Sequence, residues 1–510
     1  MALPAEKLAT ALEHLKAIQD TGRCAIRSSD LTRTTRETLQ QNRFLQEVMK
    51  GWYIAADPSS RDGETTTWFT SFWNFARDYL NKRFGTDWSL SPEQSLILHA
   101  GNLNVPYQLL VRANGARNQS TQLLHGTSLF EGNHSLPAAD DVAMVSGMRV
   151  FRPEAALIAA GPAFFQHHAA EARIVLATQR DASALLERLL AGGHSTIAGR
   201  LAGAFRNIGR PREADDILTT MHAAGYDVRE ADPFADQIAV PYRRDPSPYV
   251  HRIRLMWQTM RTHIVGKLPA PSQRTDDIDS YMRQVDEIYV TDAYHSLSIE
   301  GYQVSAALIE HVRSGTWRPD ESEADREHKN ALAARGYWQA FQSVKMSVRD
   351  VLSGSSLGAV ADRDHNKWRR ELFTPSVAVG LIQPQNLAGY RTGPVYIRGS
   401  RHTPLNPEAV RDAMPVFFEL LEAEPDPAVR IVLGHFLFVY IHPYSDGNGR
   451  TARFLMNLMI AGSGHPWTVI PVQSRATYMS ALEKASVEQN IEPFSSFLLG
   501  LIGQEAPQTA

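Results

Sequence analysis

Apolar residues run almost without a break from Val429 to Tyr440, give way to the polar stretch HPYSDGNGR, and resume from Phe454 to Ala461. Such runs predict two helices buried on most sides and joined at a turn. Asp426-Pro427 is a helix start, with proline in the first turn. Pro443 ends that helix because proline disfavours helical backbone in the residue before it. The second helix is expected from Gly447 or Asn448 to about Gly462-Ser463-Gly464. Upstream the pattern is mixed. Residues to about Pro58 read as a capped short helix, a helix from about Thr34, and strands LQEVM and GWYIA with a tight turn at Lys50-Gly51. WFTSFWNFARDYLNKRFG has helical spacing, LSPEQSLILHAG predicts a helix capped by Ser91, and PYQLLVRA and TQLLHGTSLF alternate like strands. From Arg152 to Gly209 the chain is rich in alanine and leucine and is expected to be mostly helical. PYRRDPSPYV and KLPAPSQRTDD read as linkers around a helix in HRIRLMWQTMRTHIVG, and beyond Asp276 helices follow to the end, apart from one hairpin-like stretch.

A chain of 510 residues is too long for one core, and length suggests about three domains. A formal charge of −3 gives no global attraction to nucleic acid or anionic lipid, so such binding would need a local patch. One patch exists: Arg23 to Lys50 holds six basic residues against three acidic. The element order there is that of a winged helix, and Arg33 and Arg36 at the start of its second helix are candidate DNA contacts. A protein-interaction module is the competing reading of the same helix. Cys24 is the only cysteine, so no intrachain disulfide forms, and a small buried residue is expected there. The N-terminus lacks the apolar block of a secretory signal, and Ile431–Ile441 is too short to cross a bilayer, so a soluble cytoplasmic protein is expected. GGHSTIAG at Gly192 lacks the lysine of a phosphate loop and reads as a turn between helices. His167 and His168, adjacent in sequence, read as surface residues.

The joint at His442 carries the chemistry. A helix N-terminus presents unpaired N–H groups and partial positive charge, and Gly447 and Gly449 let a ligand approach the backbone. Arg450 and Arg453, three apart, can converge on one chain of phosphates. Asp446 would repel phosphates unless a hard divalent cation lay between them. His442 is the side chain able to accept a proton near neutral pH. Base, carboxylate and phosphate cradle within one turn point to phosphoryl or nucleotidyl transfer.

HPYSDGNGRTAR resembles the signature of Fic (fido) enzymes, HPFx[DE]GNGRxxR, departing only at Tyr444. The resemblance extends from about Ser280 to Leu501 and implies transfer of AMP from ATP to a hydroxyl of a target protein, the chain itself included. It implies His442 as the base that deprotonates the hydroxyl and Asp446 as the holder of Mg2+. It implies Gly447, Asn448 and Gly449 around the α-phosphate, and Arg450 and Arg453 on the β- and γ-phosphates. RTGPVYIRGSRHTPL, with Val395 and Ile397, resembles the family's flap, a β-hairpin that clamps the target. SLSIEG, Ser296 to Gly301, lies on a helix whose apolar residues Val290, Ala293, Tyr294 and Leu297 are expected to share the buried face. It resembles the inhibitory motif [ST]xxxE[GN], in which Glu300 pairs with Arg453 and displaces the γ-phosphate. The first half of the chain resembles the antitoxin-like regulators of abortive-infection systems.

The expected fold class is therefore multidomain. Its N-terminal half is α+β, a winged helix (1–58) and a mixed region (59–240); a linker and helical region with the inhibitory helix (241–360) leads to a mainly-α fido core with a β-hairpin flap (361–500). Three alternatives stay open: transfer of UMP, GMP or phosphocholine; removal of AMP from a modified target; and a DNA-binding autoregulator whose fido half senses nucleotide. Oligomeric state is open as well.

Overall fold

The computed structural model describes residues 4–59, 64–234, 247–270, 277–314 and 325–502. Parts of both expected linkers, 241–246 and 271–276, lie outside the described residues. The chain gathers into two compact units: one takes residues up to Arg252 together with Tyr396–Thr403, the other Ile253–Val395 and the chain from Pro404 onward.

The first unit is α+β. It begins with α1 (Pro4–Gln19), β1 (Ile26–Arg27), α2 (Arg33–Gln41), β2 (Leu45–Met49) and β3 (Trp52–Ala55), the strands forming an antiparallel sheet in the order β1-β3-β2. Thr32 caps α2 by accepting the Thr35 N–H at 3.2 Å, one residue from the helix start expected. Gly51 takes φ 78° in the turn between β2 and β3. One sheet face, with Ile26, Leu45 and Tyr53, packs on Ala11, Leu15 and Leu39 of the two helices.

Next come α3 (Thr66–Phe84), β4 (Trp88–Leu90), α4 (Pro92–His99), β5 (Gln108–Ala113), β6 (Gln119–Gln122) and β7 (Ser128–Gly132). A sheet in the order β4-β5-β7-β6 results, with β5 and β7 parallel. Trp68, Phe72 and Phe75 of α3 pack with Trp88, Leu109 and Leu129 in one core. Ser91 caps α4 as expected, accepting the Gln94 N–H at 3.2 Å. TQLLHGTSLF is two strands rather than one, broken at His125, which takes φ 50°. A hairpin of β8 (Val142–Val145) and β9 (Met148–Phe151) precedes α5 to α10 (Pro153–Ala159, Pro162–His167, Ala169–Thr178, Ser183–Gly192, Ser195–Asn207 and Pro211–Ala223). GGHSTIAG joins α8 to α9, with Gly193 left-handed, and His167 and His168 are exposed. Cys24 is half-buried; it donates its N–H to Asp78 at 2.6 Å, and burial pushes its thiol up to about 11.

Helix α11 (Pro248–Arg261) spans the division between the units. Among the described residues the second unit holds helices and no strand: α12 (Ile278–Ile299), α13 (Ala306–Arg313), α14 (Asp325–Leu352), α15 (Leu357–Ala378), α16 (Pro407–Ala423), α17 (Pro427–Ile441), α18 (Asn448–Gly462), α19 (Arg475–Val487) and α20 (Glu492–Leu501). Asp426 caps α17 by accepting the Val429 N–H at 3.0 Å, and Pro427 occupies the first turn, as the sequence predicts. Phe436, Leu437 and Phe438 are fully buried, worth about 1.5–3 kcal/mol each. This fixes α17, and with it the position of His442 at its end.

Two expectations need correction. The segment from Arg391 to Leu405 forms no strand, so Val395 and Ile397 lie in irregular chain and not in a β-hairpin. Its polar groups bond elsewhere: the Gly399 N–H to Thr66 Oγ1 at 3.1 Å, the Thr403 N–H to Asn104 Oδ1 at 3.3 Å, and the Arg401 carbonyl to the Val105 N–H at 3.1 Å. With its donors and acceptors so engaged, no ladder closes across the turn at Arg398-Gly399. The buried face of α12 also differs from the Val290, Ala293, Tyr294, Leu297 stripe. Val290 and Tyr294 are only half-buried, whereas Asp292, His295 and Ser296 point inward.

Candidate active site

The second unit brings the joint together as follows. Pro443 disfavours right-handed helical backbone at His442, which takes the left-handed conformation (φ 54°, ψ 60°) as it caps α17. For a residue with a side chain this costs about 1–2 kcal/mol. Arg391 offsets the cost: its Nε donates to the His442 carbonyl at 2.8 Å and its backbone N–H to the Pro443 carbonyl at 3.0 Å. His442 Nδ1 lies 3.1 Å from the Val439 carbonyl, which makes Nδ1 the protonated nitrogen and Nε2 the acceptor. Burial, reinforced by the Arg391 guanidinium, lowers the imidazole pKa from 6.5 to about 4. His442 is thus neutral at physiological pH with a lone pair to offer.

Asn448, expected at the α-phosphate, turns its amide onto the loop before it. Its Oδ1 accepts the Tyr444 N–H at 2.9 Å and its Nδ2 donates to the Tyr444 carbonyl at 2.8 Å. It is a staple that closes the loop. Tyr444 in turn donates its hydroxyl to Asn366 at 2.7 Å, and the Arg369 guanidinium lies 4.9 Å from its ring centroid. Gly447 caps α18 with φ 86°, and a Cβ there would meet the Phe373 ring at 2.8 Å. Glycine is required on both counts.

Asp446 is the exposed member, its side chain 66% accessible, with Arg450 3.5 Å away. No group of three or more acidic, histidine or cysteine side chains is placed to hold a metal ion among the described residues. A single exposed carboxylate is nonetheless within the donor set of Mg2+, which takes one or two carboxylates and fills its shell with phosphate oxygens and water.

Arg450 is 1% exposed, between the Phe373 and Tyr302 rings at 4.9 and 5.4 Å. Its Nε, and Nη1 of Arg369, find no hydrogen-bond partner among the described residues. Buried donors left open in this way suit an anionic ligand.

Arg453 is 3% exposed and fully engaged. Its Nε donates to Ser296 Oγ at 2.8 Å, and its Nη2 to the Ser296 carbonyl at 3.1 Å and to Glu300 Oε1 at 2.7 Å. Ser296 and Glu300 stand one turn apart at the end of α12, which stops as Gly301 takes φ 89°. Burial alone would raise the Glu300 pKa, but Arg453 and Arg450 together hold it below the usual carboxylate range. Gly449 makes room for this pair: a Cβ there would lie 2.5 Å from Glu300 Oε1 and 3.3 Å from Arg453 Nη1.

Helix α12 is itself held down along its length. Tyr281 donates to the His465 carbonyl at 3.0 Å, Tyr337 to Asp292 at 2.7 Å, and Arg475 to the Ile299 carbonyl at 2.8 Å. Arg391, Arg369, Phe373 and Asp292 went unnoticed in the sequence because the groups that give them their place here, His442, Asp446, Gly447 and Tyr337, are remote along the chain. Arg33 and Arg36 belong to the first unit. Arg33 pairs with Glu37 at 2.7 Å with its side chain 84% exposed, whereas Arg36 is turned back onto the Ser28 carbonyl at 3.1 Å.

Residues 365–460 match the model of the Fic/DOC family. Protein adenylyltransferase fic-1 of Caenorhabditis elegans is 31% identical over 221 residues, which cover 42% of this chain and 40% of that protein. Protein adenylyltransferase Fic of Drosophila willistoni is 30% identical over 221 residues, with the same shares of each. The chain thus spans less than half the length of these curated relatives. A solved structure of C. elegans Fic-1, residues 134–508, covers 63% of this chain and 89% of its own at 22% identity, with a TM-score of 0.35. No helix among the described residues is long and apolar enough to cross a membrane.

Proposed function

We propose that the chain transfers AMP from ATP to a hydroxyl side chain of a protein and that Glu300 restrains the reaction. The observation that carries this reading is the neutral His442 imidazole, its Nδ1 on the Val439 carbonyl, at the mouth of a helix N-terminus lined by two buried arginines. In the reaction, Nε2 takes the proton of the incoming tyrosine, serine or threonine hydroxyl. The hydroxyl oxygen attacks the α-phosphorus, the bond to the β-phosphate oxygen breaks, and pyrophosphate leaves. The backbone N–H groups at the start of α18 stabilise the charge that builds on the α-phosphate. Asp446 would hold Mg2+, which when bound neutralises phosphate charge.

Arg450, whose Nε has no hydrogen-bond partner among the described residues, is ready for phosphate oxygens. Arg453 is not, because Ser296 and Glu300 occupy it. A guanidinium bound to a carboxylate cannot also grip a γ-phosphate, so ATP must displace Glu300 to bind productively. Incubation of wild-type and Glu300→Gly protein with α-labelled ATP and magnesium tests the whole reading. Labelling about tenfold or more stronger in the variant is expected, and equal labelling removes the brake. Parallel incubations with UTP, GTP and CTP settle the donor.

A second reading concerns the first unit. Its helix-strand-helix-hairpin order and the exposed Arg33 at the α2 start fit a winged helix that contacts DNA. Arg36, folded back on Ser28, is a weaker contact than the sequence suggested. A salt-dependent shift of the chain's own promoter DNA, lost in Arg33→Ala, is the expected result.

A further inference from the structure

The first unit contains a second cationic site, independent of the chemistry just described. A cleft of about 490 Å³ is lined by Arg27, Lys50, Lys82 and Arg83, with Trp52 and Tyr79 among its walls. All six residues belong to the unit that does not carry His442. Their convergence follows from the sheet. Arg27 and Trp52 are cross-strand partners in β1 and β3, so both side chains leave the same face. The neighbouring pair, Ile26 and Tyr53, occupies the opposite face and packs on Leu39 of α2. The cleft therefore lies on the side of the sheet away from Arg33 and Arg36, and a DNA-reading α2 does not account for it.

Charge in the cleft is only partly neutralised. Arg27 pairs with Asp30 at 3.1 Å, and Arg83 pairs with the fully buried Glu131 at 2.9 Å. Lys50 and Lys82 are exposed and form no salt bridge among the described residues. Four cations thus face two carboxylates. The walls are aromatic: Trp52 meets Tyr79 edge-on with centroids 5.0 Å apart, and the Arg83 guanidinium lies 5.8 Å from the Tyr79 centroid. Tyr79 donates its hydroxyl to Glu131 at 2.9 Å, and burial beside that carboxylate pushes its phenol up to about 12, so it adds no negative charge.

We propose that this cleft binds a nucleoside polyphosphate. Lysines and arginines in excess over carboxylates suit phosphate oxygens. A half-buried indole offers a flat base an apolar surface to stack upon. The volume lies within the range of small-molecule sites, about 300–1,000 Å³. A bare inorganic anion would leave Trp52 unused, and a protein partner would need a larger surface.

Hydrogen–deuterium exchange of the full-length protein, with and without millimolar ADP, reads this site apart from any other nucleotide site. Protection is expected in peptides covering β2, β3 and the last turn of α3. It should be lost in the double variant Lys50→Glu/Lys82→Glu, which changes two exposed side chains, and kept in Lys50→Arg/Lys82→Arg. Absence of protection in the wild type, or protection that survives charge reversal, overturns the proposal. Equal protection by pyrophosphate removes the role of the base. A single-stranded oligonucleotide that protects the same peptides at lower concentration than ADP would make nucleic acid the ligand and so overturn the nucleotide reading.

Discussion

The corner at His442 and the cleft beside Trp52 both concentrate positive charge, and they accommodate it in opposite ways. Arg450 and Arg453 are 1% and 3% exposed, so water cannot serve them as a counter-charge. A buried guanidinium without a partner is costly, and Glu300 supplies one. Lys50 and Lys82 stand in solvent and need no resident anion. The comparison teaches that pairing follows from burial. A guanidinium taken this far from water needs an anion beside it, and here Arg453 finds a carboxylate on a neighbouring helix.

The largest effect expected from breaking this arrangement is at His442. His442→Ala should lower labelling by about 10²–10⁴-fold, the usual worth of a positioned general base, measured in the Glu300→Gly background where labelling is strongest. The pH profile sharpens the point. With the imidazole pKa lowered from 6.5 to about 4, labelling should stay flat as pH falls through 6.5 and decline only towards 4. Stability should move the other way from a surface histidine. The unfolded chain binds a proton near pH 6.5 that the folded chain refuses until about 4, so the contribution is complete above 6.5 and is lost between those values on acidification. Chemical denaturation across that window, with His442→Ala as reference, measures it.

Next in size is Asn448→Ala. It deprives the buried Tyr444 N–H and carbonyl of their partners and should cost about 2–3 kcal/mol of unfolding free energy, read from urea melts. An unchanged melt would mean that the loop holds itself without the staple. Smallest, and most telling for the comparison, is the thermal behaviour of Glu300→Gly. Loss of the resident counter-charge should lower Tm by a few degrees, and ATP should raise Tm more in the variant than in the wild type. Charge reversal of Lys50 and Lys82 should leave the basal Tm almost unchanged.

The two helices at the joint were legible because an unbroken apolar run needs burial and because Asp426, Pro427, Pro443 and Gly447 punctuate it locally. The pairing of Glu300 with Arg453 was legible only through likeness to a known motif, since nothing local brings residues 153 positions apart together. The bonds of Asn448 to Tyr444 were not legible because spacing within the motif says nothing about where an amide turns once a backbone donor and acceptor stand beside it. The inward Asp292 and Ser296 broke the apolar stripe by which the face of α12 was judged; their partners, Tyr337 and Arg453, come from other helices. The segment with Val395 and Ile397 alternates like a strand but finds no strand to pair with.

The missing side chain at Gly449 has a consequence of its own. Glu300 Oε1 sits 2.5 Å from the point where a Cβ would begin, and Arg453 Nη1 3.3 Å from it. Even the single methyl of an alanine at this position would therefore contend for space with both members of the ion pair, so the hydrogen atom that glycine carries there is what lets carboxylate and guanidinium meet.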